Sequence, residues 1–215
     1  MTGHGHGHGH GPRHGGHHGH GRDHHGNPDD FDTYLGRQLD PERDAWQKPD
    51  EVVALLHLRP GAIACDVGAG PGVFTLRLAR AVGPSGRVHA LDVDPRMLAV
   101  LERRVREDGL ANVAAHHVPG GRGLPPEPAD AVLLVNVLHH FRDPSAYLRE
   151  LAGRLRPGGR LVNVDFHAGD VPVGPPADQK VSREAFLEVA AEAGLAVAEE
   201  LRSLPYQYAF ALAPA

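Results

Sequence analysis

Ala62-Ile63-Ala64-Cys65-Asp66-Val67-Gly68-Ala69-Gly70-Pro71-Gly72-Val73-Phe74-Thr75 reads as an apolar strand, an acid, three alternating glycines and the start of a helix. Glycine at such a junction lets the backbone turn sharply and lets a ligand come close where a side chain would stand in the way. Taken alone, the glycines are weak evidence, since they also fit a tight strand-to-helix turn that holds nothing. A second strand changes the balance: Val88-His89-Ala90-Leu91-Asp92 ends in an acid 20 residues after Gly72, where a carboxylate accepts both hydroxyls of a ribose. The stretch therefore points to a ligand that contains a ribose.

Outward from it, short apolar runs alternate with amphipathic helices. Strand-like runs lie near 62–66, 87–92, 112–117, 130–135, 159–165, 196–202 and 206–212, and helices near 72–82, 95–108, 144–155 and 182–193. Alternation of this kind gives a mostly parallel sheet covered by helices on both faces. The last two runs are separated only by residues around Leu204-Pro205, too few for a crossover, so they pair as an antiparallel hairpin. The expectation is a Rossmann-like three-layer α/β/α fold with seven strands. Upstream, order is expected from near Phe31. Asp40-Pro41-Glu42-Arg43 offers a capping acid followed by proline at the first helical position, and a second helix start follows at Asp50. Residues 27–60 then form a helical lid segment ahead of a ligand-binding domain at 61–215; Trp46 and Gln47 could serve as a lid over the cleft, although an aromatic that packs one helix against the domain is the commoner use.

Residues 1–26 hold ten histidines and ten glycines, with almost nothing apolar to offset the entropy of ordering so many glycines, and are expected to be a disordered tail. Neutral imidazoles on such a chain can wrap a divalent metal without much selectivity, with His4, His6, His8, His10, His17, His18, His24 and His25 as ligands. The single cysteine, Cys65, rules out an intramolecular disulfide and a zinc site of several thiolates, and reads as a packed core residue. A formal charge of 22 minus 27, or −5, argues against a globally basic nucleic-acid binder. The N-terminus lacks the apolar stretch of a signal peptide and no run is long enough to span a membrane, so the sequence reads as cytoplasmic.

The chain resembles the class I S-adenosylmethionine-dependent methyltransferases, particularly the group called type 11, over about residues 41–213. The resemblance rests on four ordered blocks: Asp66 through Gly72; Leu91-Asp92-Val93-Asp94; Asp130-Ala131-Val132 through Asn136-Val137-Leu138-His139-His140-Phe141; and Leu155-Arg156-Pro157-Gly158-Gly159-Arg160-Leu161. It implies that Asp66 and the backbone around Gly68, Gly70 and Gly72 hold the methionyl end of S-adenosylmethionine. Asp92 then takes the ribose hydroxyls, Val93 flanks the adenine and Asn136 stands beside the sulfonium, unless its amide only caps the turn. The acid that many relatives direct at the adenine amino group is missing, Gly120 standing near its place. The segment Asp40 through Pro49 also resembles one in a bacterial subgroup.

Two further groups invite a catalytic or metal role. His139 and His140 could take a proton from a nucleophile, but the resemblance reads the pair as the opening of a helix. Asp165, His167 and Asn136 share one rim and could ligate a metal, although solvated rim residues explain them more simply. The function expected is methyl transfer to a small-molecule acceptor by in-line displacement, with neither nucleic acid nor membrane as partner. Two rivals are carried. A nicotinamide-dependent oxidoreductase is disfavoured because Val73 stands where a dinucleotide fingerprint has its third glycine and no Tyr-x-x-x-Lys pair is in place. A metal-buffering protein would act through its histidine tail.

Overall fold

A computed structural model describes Met1 and residues 30–215; the histidine ligands expected between His4 and His25 lie outside the described residues. Three short helices come first: α1 (Phe31–Gln38), α2 (Arg43–Gln47) and α3 (Pro49–Ala54). The remainder alternates: β1 (Ile63–Val67), α4 (Val73–Val82), β2 (Arg87–Asp92), α5 (Pro95–Glu107), β3 (Val113–His117), β4 (Ala129–Val135), α6 (Pro144–Ala152), β5 (Leu155–Phe166), α7 (Arg183–Glu192), β6 (Leu195–Leu201) and β7 (Gln207–Pro214).

One seven-stranded sheet runs in the order β3-β2-β1-β4-β5-β7-β6. Its first five positions are parallel, while β7 is antiparallel to both β5 and β6. The C-terminal hairpin expected from the sequence is present, with its second strand inserted against β5. Strand order reverses between β1 and β4, so a crevice opens beyond their carboxyl ends, where open α/β sheets take ligands.

The sheet is packed on both faces. On one, Leu91, Val132, Leu134, Tyr147, Leu148, Phe186 and Phe210 form a core under α6 and α7; on the other, Leu78, Val82, Val88, Leu133, Val164 and Ala211 pack with Val52 and Leu55 of the α3 region. Burial on both faces explains why the strands read as continuous apolar runs. Cys65 packs in the first core, fully buried. Among the described residues no helix is long and apolar enough to cross a membrane.

Boundaries shifted where side chains compete with the backbone. Asp40 does not cap a helix: its Oδ1 accepts from the Glu42 N–H at 2.9 Å, making a turn that holds Pro41 outside, and α2 starts at Arg43. The second start is also displaced, with Pro49 rather than Asp50 opening α3. Helix α1 had no apolar period because it buries no residue; Asp30 caps it by accepting from Thr33 N–H at 3.1 Å. Helix α6 ends at Ala152, and β5 begins at Leu155, running through Gly158 and Gly159 with a register shift opposite Ala129 and Ala131. His139 and His140 do not open a long helix. They close a single 3₁₀ turn, Leu138–His140, and α6 starts afresh at Pro144 with Asp143 as its cap.

Candidate functional site

The glycine loop leaves β1 through three left-handed residues, Gly68 (φ 69°), Gly70 (φ 53°) and Gly72 (φ 86°). Such angles favour glycine over any residue with a Cβ. The N–H groups of Gly68 and Ala69 both donate to the Leu91 carbonyl, at 2.8 and 3.0 Å, stitching the loop to the end of β2. Gly70 N–H donates to Asp92 Oδ2 at 2.7 Å, and Asp94 N–H donates to Asp92 Oδ1 at 2.8 Å. The acid at the end of β2 is thus oriented by the loop itself. Burial raises the Asp92 carboxyl above its ordinary range, with these backbone donors opposing the rise.

Asp66, at 2% exposure, accepts from Thr75 Oγ1 at 2.6 Å. Burial pushes its carboxyl up to about 7, helped by the negative charge of Asp92 and opposed by Thr75. A cationic ligand beside Asp66 would restore the carboxylate.

Asp66, Gly68, Gly70, Asp92, Val93, Asn136 and His140 line one cleft at the carboxyl ends of β1, β2 and β4. The expected residues thus converge, with two exceptions. Gly72 does not line the cleft; it starts α4, and a Cβ there would press on Leu101 and Leu76, so close helix packing accounts for it. His139 is turned to the protein instead: its Nδ1 lies 3.0 Å from both Asp165 oxygens, in a nearly buried pair. Asp165 is therefore not a solvated rim residue but a buried partner of His139, and among the described residues no three His, Cys, Asp or Glu side chains converge on a metal site. His167 lies against Tyr208.

The cleft's cover comes from the N-terminal helices. Tyr34, Gln38 and Arg43 line it, and none of the three was singled out for the site from the sequence. Trp46 does not line it; its ring packs 6.0 Å from both Phe166 and Tyr206 and anchors α2 to the ends of β5 and the loop before β7. Gln47, 1% exposed, connects the cover to the sheet. Arg43 Nη2 donates to Gln47 Oε1 at 2.8 Å, Gln47 Nε2 to Gln207 Oε1 at 3.2 Å, and Gln207 Nε2 to Asn136 Oδ1 at 2.6 Å. Asn136 does not cap a turn: its side chain ends this chain of bonds while its backbone sits at φ 58°, held by Asn136 N–H donating to the Val164 carbonyl.

At the far end Val93, Met97, Val118 and Gly121 form an apolar slot. Asp94, which also lines the cleft, has its carboxylate engaged by Arg96.

Residues 64–159 match the family model of a methyltransferase domain. The chain is 35% identical over 120 residues to the demethylmenaquinone methyltransferase of Bacillus cytotoxicus, covering 55% of this chain and 49% of that protein. It is 35% identical over 136 residues to a tRNA U34 carboxymethyltransferase of Geobacter sp., covering 60% of this chain and 40% of that protein. The chain spans half or less of the length of these relatives. In fold it is similar to a SAM-dependent methyltransferase from Aquifex aeolicus, with a TM-score of 0.76 at 24% identity over 84% of this chain and 96% of that one.

Proposed function

We propose that this chain, whose residues 64–159 match the model of a methyltransferase domain, is a class I S-adenosylmethionine-dependent methyltransferase that transfers a methyl group to a small-molecule acceptor bound under its N-terminal helices. The observation that carries this reading is the placing of Asp92, held by Gly70 and Asp94, in one cleft with Asp66 and the glycine loop.

The cleft suits the cofactor. A Cβ on Gly70 would meet no protein atom within 4 Å, so glycine there keeps the loop's backbone open to a ligand. Two buried carboxylates in one cleft suit a ligand that is cationic at one end and rich in hydroxyls at the other. Asp92 would take the ribose hydroxyls, Asp66 and the loop backbone the methionyl end, and the slot of Val93, Met97 and Val118 the adenine. With glycine at 120 and 121, backbone groups of that turn are left to read the adenine edge. When bound, S-adenosylmethionine supplies a methyl carbon on a sulfonium, which a nucleophilic atom of the acceptor displaces in line with the sulfur.

What this chain contributes is positioning. Tyr34, Gln38 and Arg43 close over the cleft from α1 and α2, and Asn136, Val137, His140 and Phe141 bound it from below. Holding two reactants in near-attack geometry is worth up to about 7–11 kcal/mol, so no strong general base is needed for an acceptor that is already nucleophilic. Relatives named for demethylmenaquinone and for ubiquinone and menaquinone biosynthesis support a small acceptor.

The test uses S-adenosylmethionine tritiated in its methyl group, incubated with the protein and a cell extract divided into small-molecule and RNA fractions. Label is expected in the small-molecule fraction. Label confined to RNA would refute the acceptor class, and no transfer to either would refute the activity.

A further inference from the structure

The segment Asp40 through Pro49 does more than cover the cleft, because the bond chain it starts has a fixed direction. A guanidinium carries five N–H donors and no acceptor and stays protonated in a protein, so Arg43 can only donate. Gln47 can meet Arg43 only with Oε1, which leaves Nε2 for Gln207. Gln207 then receives with Oε1 and donates with Nε2, so Asn136 receives with Oδ1. An amide's oxygen and nitrogen are ordinarily assigned from such networks; here Arg43 dictates all three orientations. Asn136 Nδ2 has no hydrogen-bond partner among the described residues, and Asn136 lines the cleft beside Val137 and His140. Its left-handed backbone, at φ 58°, is an uncommon conformation for any residue but glycine, and such outliers gather at working sites.

We propose that this relay makes Asn136 an obligate hydrogen-bond donor, and that the site takes a methyl acceptor bearing a lone-pair oxygen, a ketone, phenol or carboxylate, which Asn136 Nδ2 binds. The inference rests on the methyl-transfer reading above. Gln47 and Gln207 act through Asn136 and are positioning residues. Trp46, by anchoring α2 on Phe166 and Tyr206, holds the relay's first link in place. The same oxygen chemistry could come from the cofactor's own carboxylate, and the experiment separates the two sources.

The decisive variant is Gln47→Glu, which keeps the shape and adds an ion pair with Arg43 but cannot donate. Gln207 must then turn Nε2 toward Glu at 47 and Oε1 toward Asn136, which in turn presents Oδ1 to the cleft. Gln207→Glu breaks the direction one link later and serves if the first variant fails to fold. The full chain is saturated with S-adenosylhomocysteine, and failure of that step in the wild type would count against the methyl-transfer reading, not against the relay. A cross-hydrogen-bond NMR correlation from Gln207 Nε2 to Asn136 Cγ is expected in the wild type and is lost in both variants; its absence from the wild type overturns the relay. Two neutral probes of one shape follow, 2-acetylnaphthalene and 2-isopropenylnaphthalene. The wild type is expected to favour the ketone at least tenfold, and each variant to lose that preference while S-adenosylhomocysteine affinity stays within threefold. A wild type that does not distinguish the probes, or variants that keep the preference, overturns the proposal. A tenfold fall in S-adenosylhomocysteine affinity would assign the oxygen to the cofactor and overturn it as well.

Discussion

At the glycine-loop end of the cleft, Asp92 meets Gly70 across 22 positions of chain; at the covered end, Gln47 meets Gln207 across 160. The first end is made by one β-α-β unit whose glycines, acid and apolar strands lie together in sequence. Its working groups are backbone N–H donors and two carboxylates. The second end joins α2 to the ends of β4 and β7, and its working groups are an arginine and three amides. A unit of local contacts can carry a binding function common to many chains, whereas an end assembled from distant segments can vary independently and is where selectivity for an acceptor belongs.

The largest expected effect falls on the local end. Gly70→Val places a branched side chain in space open to a ligand and demands a left-handed backbone that such a residue resists. S-adenosylhomocysteine affinity should fall at least a hundredfold by calorimetry, with the circular dichroism spectrum unchanged. A folded Gly70→Val protein with normal affinity would place the ligand elsewhere. Next comes Asp92→Ala, which removes a charged acceptor and frees the Gly70 and Asp94 N–H groups together. At least a tenfold loss of affinity is expected, about 1.4 kcal/mol or more; a dissociation constant equal to wild type would remove the ribose assignment.

What could be read from the sequence follows the same division. The β1 loop, α4 and Asp92 were legible because each is set by neighbours within a few residues, and the sheet followed from the alternation of strands and helices. Gly72 was legible as a glycine, but only the packed structure shows Leu101 and Leu76 against it and places it outside the cleft lining. Helix α1 left no periodic signal because it buries none of its residues. Arg43 and the relay could not be read at all, because each partner is brought in by a different segment. The motif Asp40 through Pro49 could be seen as a unit without any sign of what it touches. His139 likewise has its partner, Asp165, on a different strand.

A smaller effect sharpens the contrast through pH. Because the Asp66 carboxyl is raised from 3.8 to about 7, the folded protein holds a proton there that the unfolded chain releases near pH 4. Its contribution to stability is present below about pH 4 and is lost as pH rises through 7. The ligand-free protein should therefore gain stability at pH 8 on Asp66→Asn, by about 2–4 kcal/mol, while losing cofactor affinity. In the wild type, S-adenosylhomocysteine should bind up to about tenfold more weakly at pH 6 than at pH 8. Thermal melts and titrations at both pH values check the pair; a variant less stable than wild type at pH 8 would contradict the assignment. The smallest expected effect is none. Removing residues 1–26 should abolish most nickel binding and leave S-adenosylhomocysteine affinity within twofold, and loss of cofactor binding would make the histidine segment part of the cleft.

The most direct test of the whole account is a calorimetric comparison of two ligands on the unmodified chain. S-adenosylhomocysteine and NAD share an adenosine, so both can offer a ribose to Asp92, but only the first brings an ammonium to Asp66 and a compact body to the covered end. Saturable one-to-one binding of S-adenosylhomocysteine is expected, with no measurable heat from NAD. Saturable NAD binding with S-adenosylhomocysteine silent would contradict it.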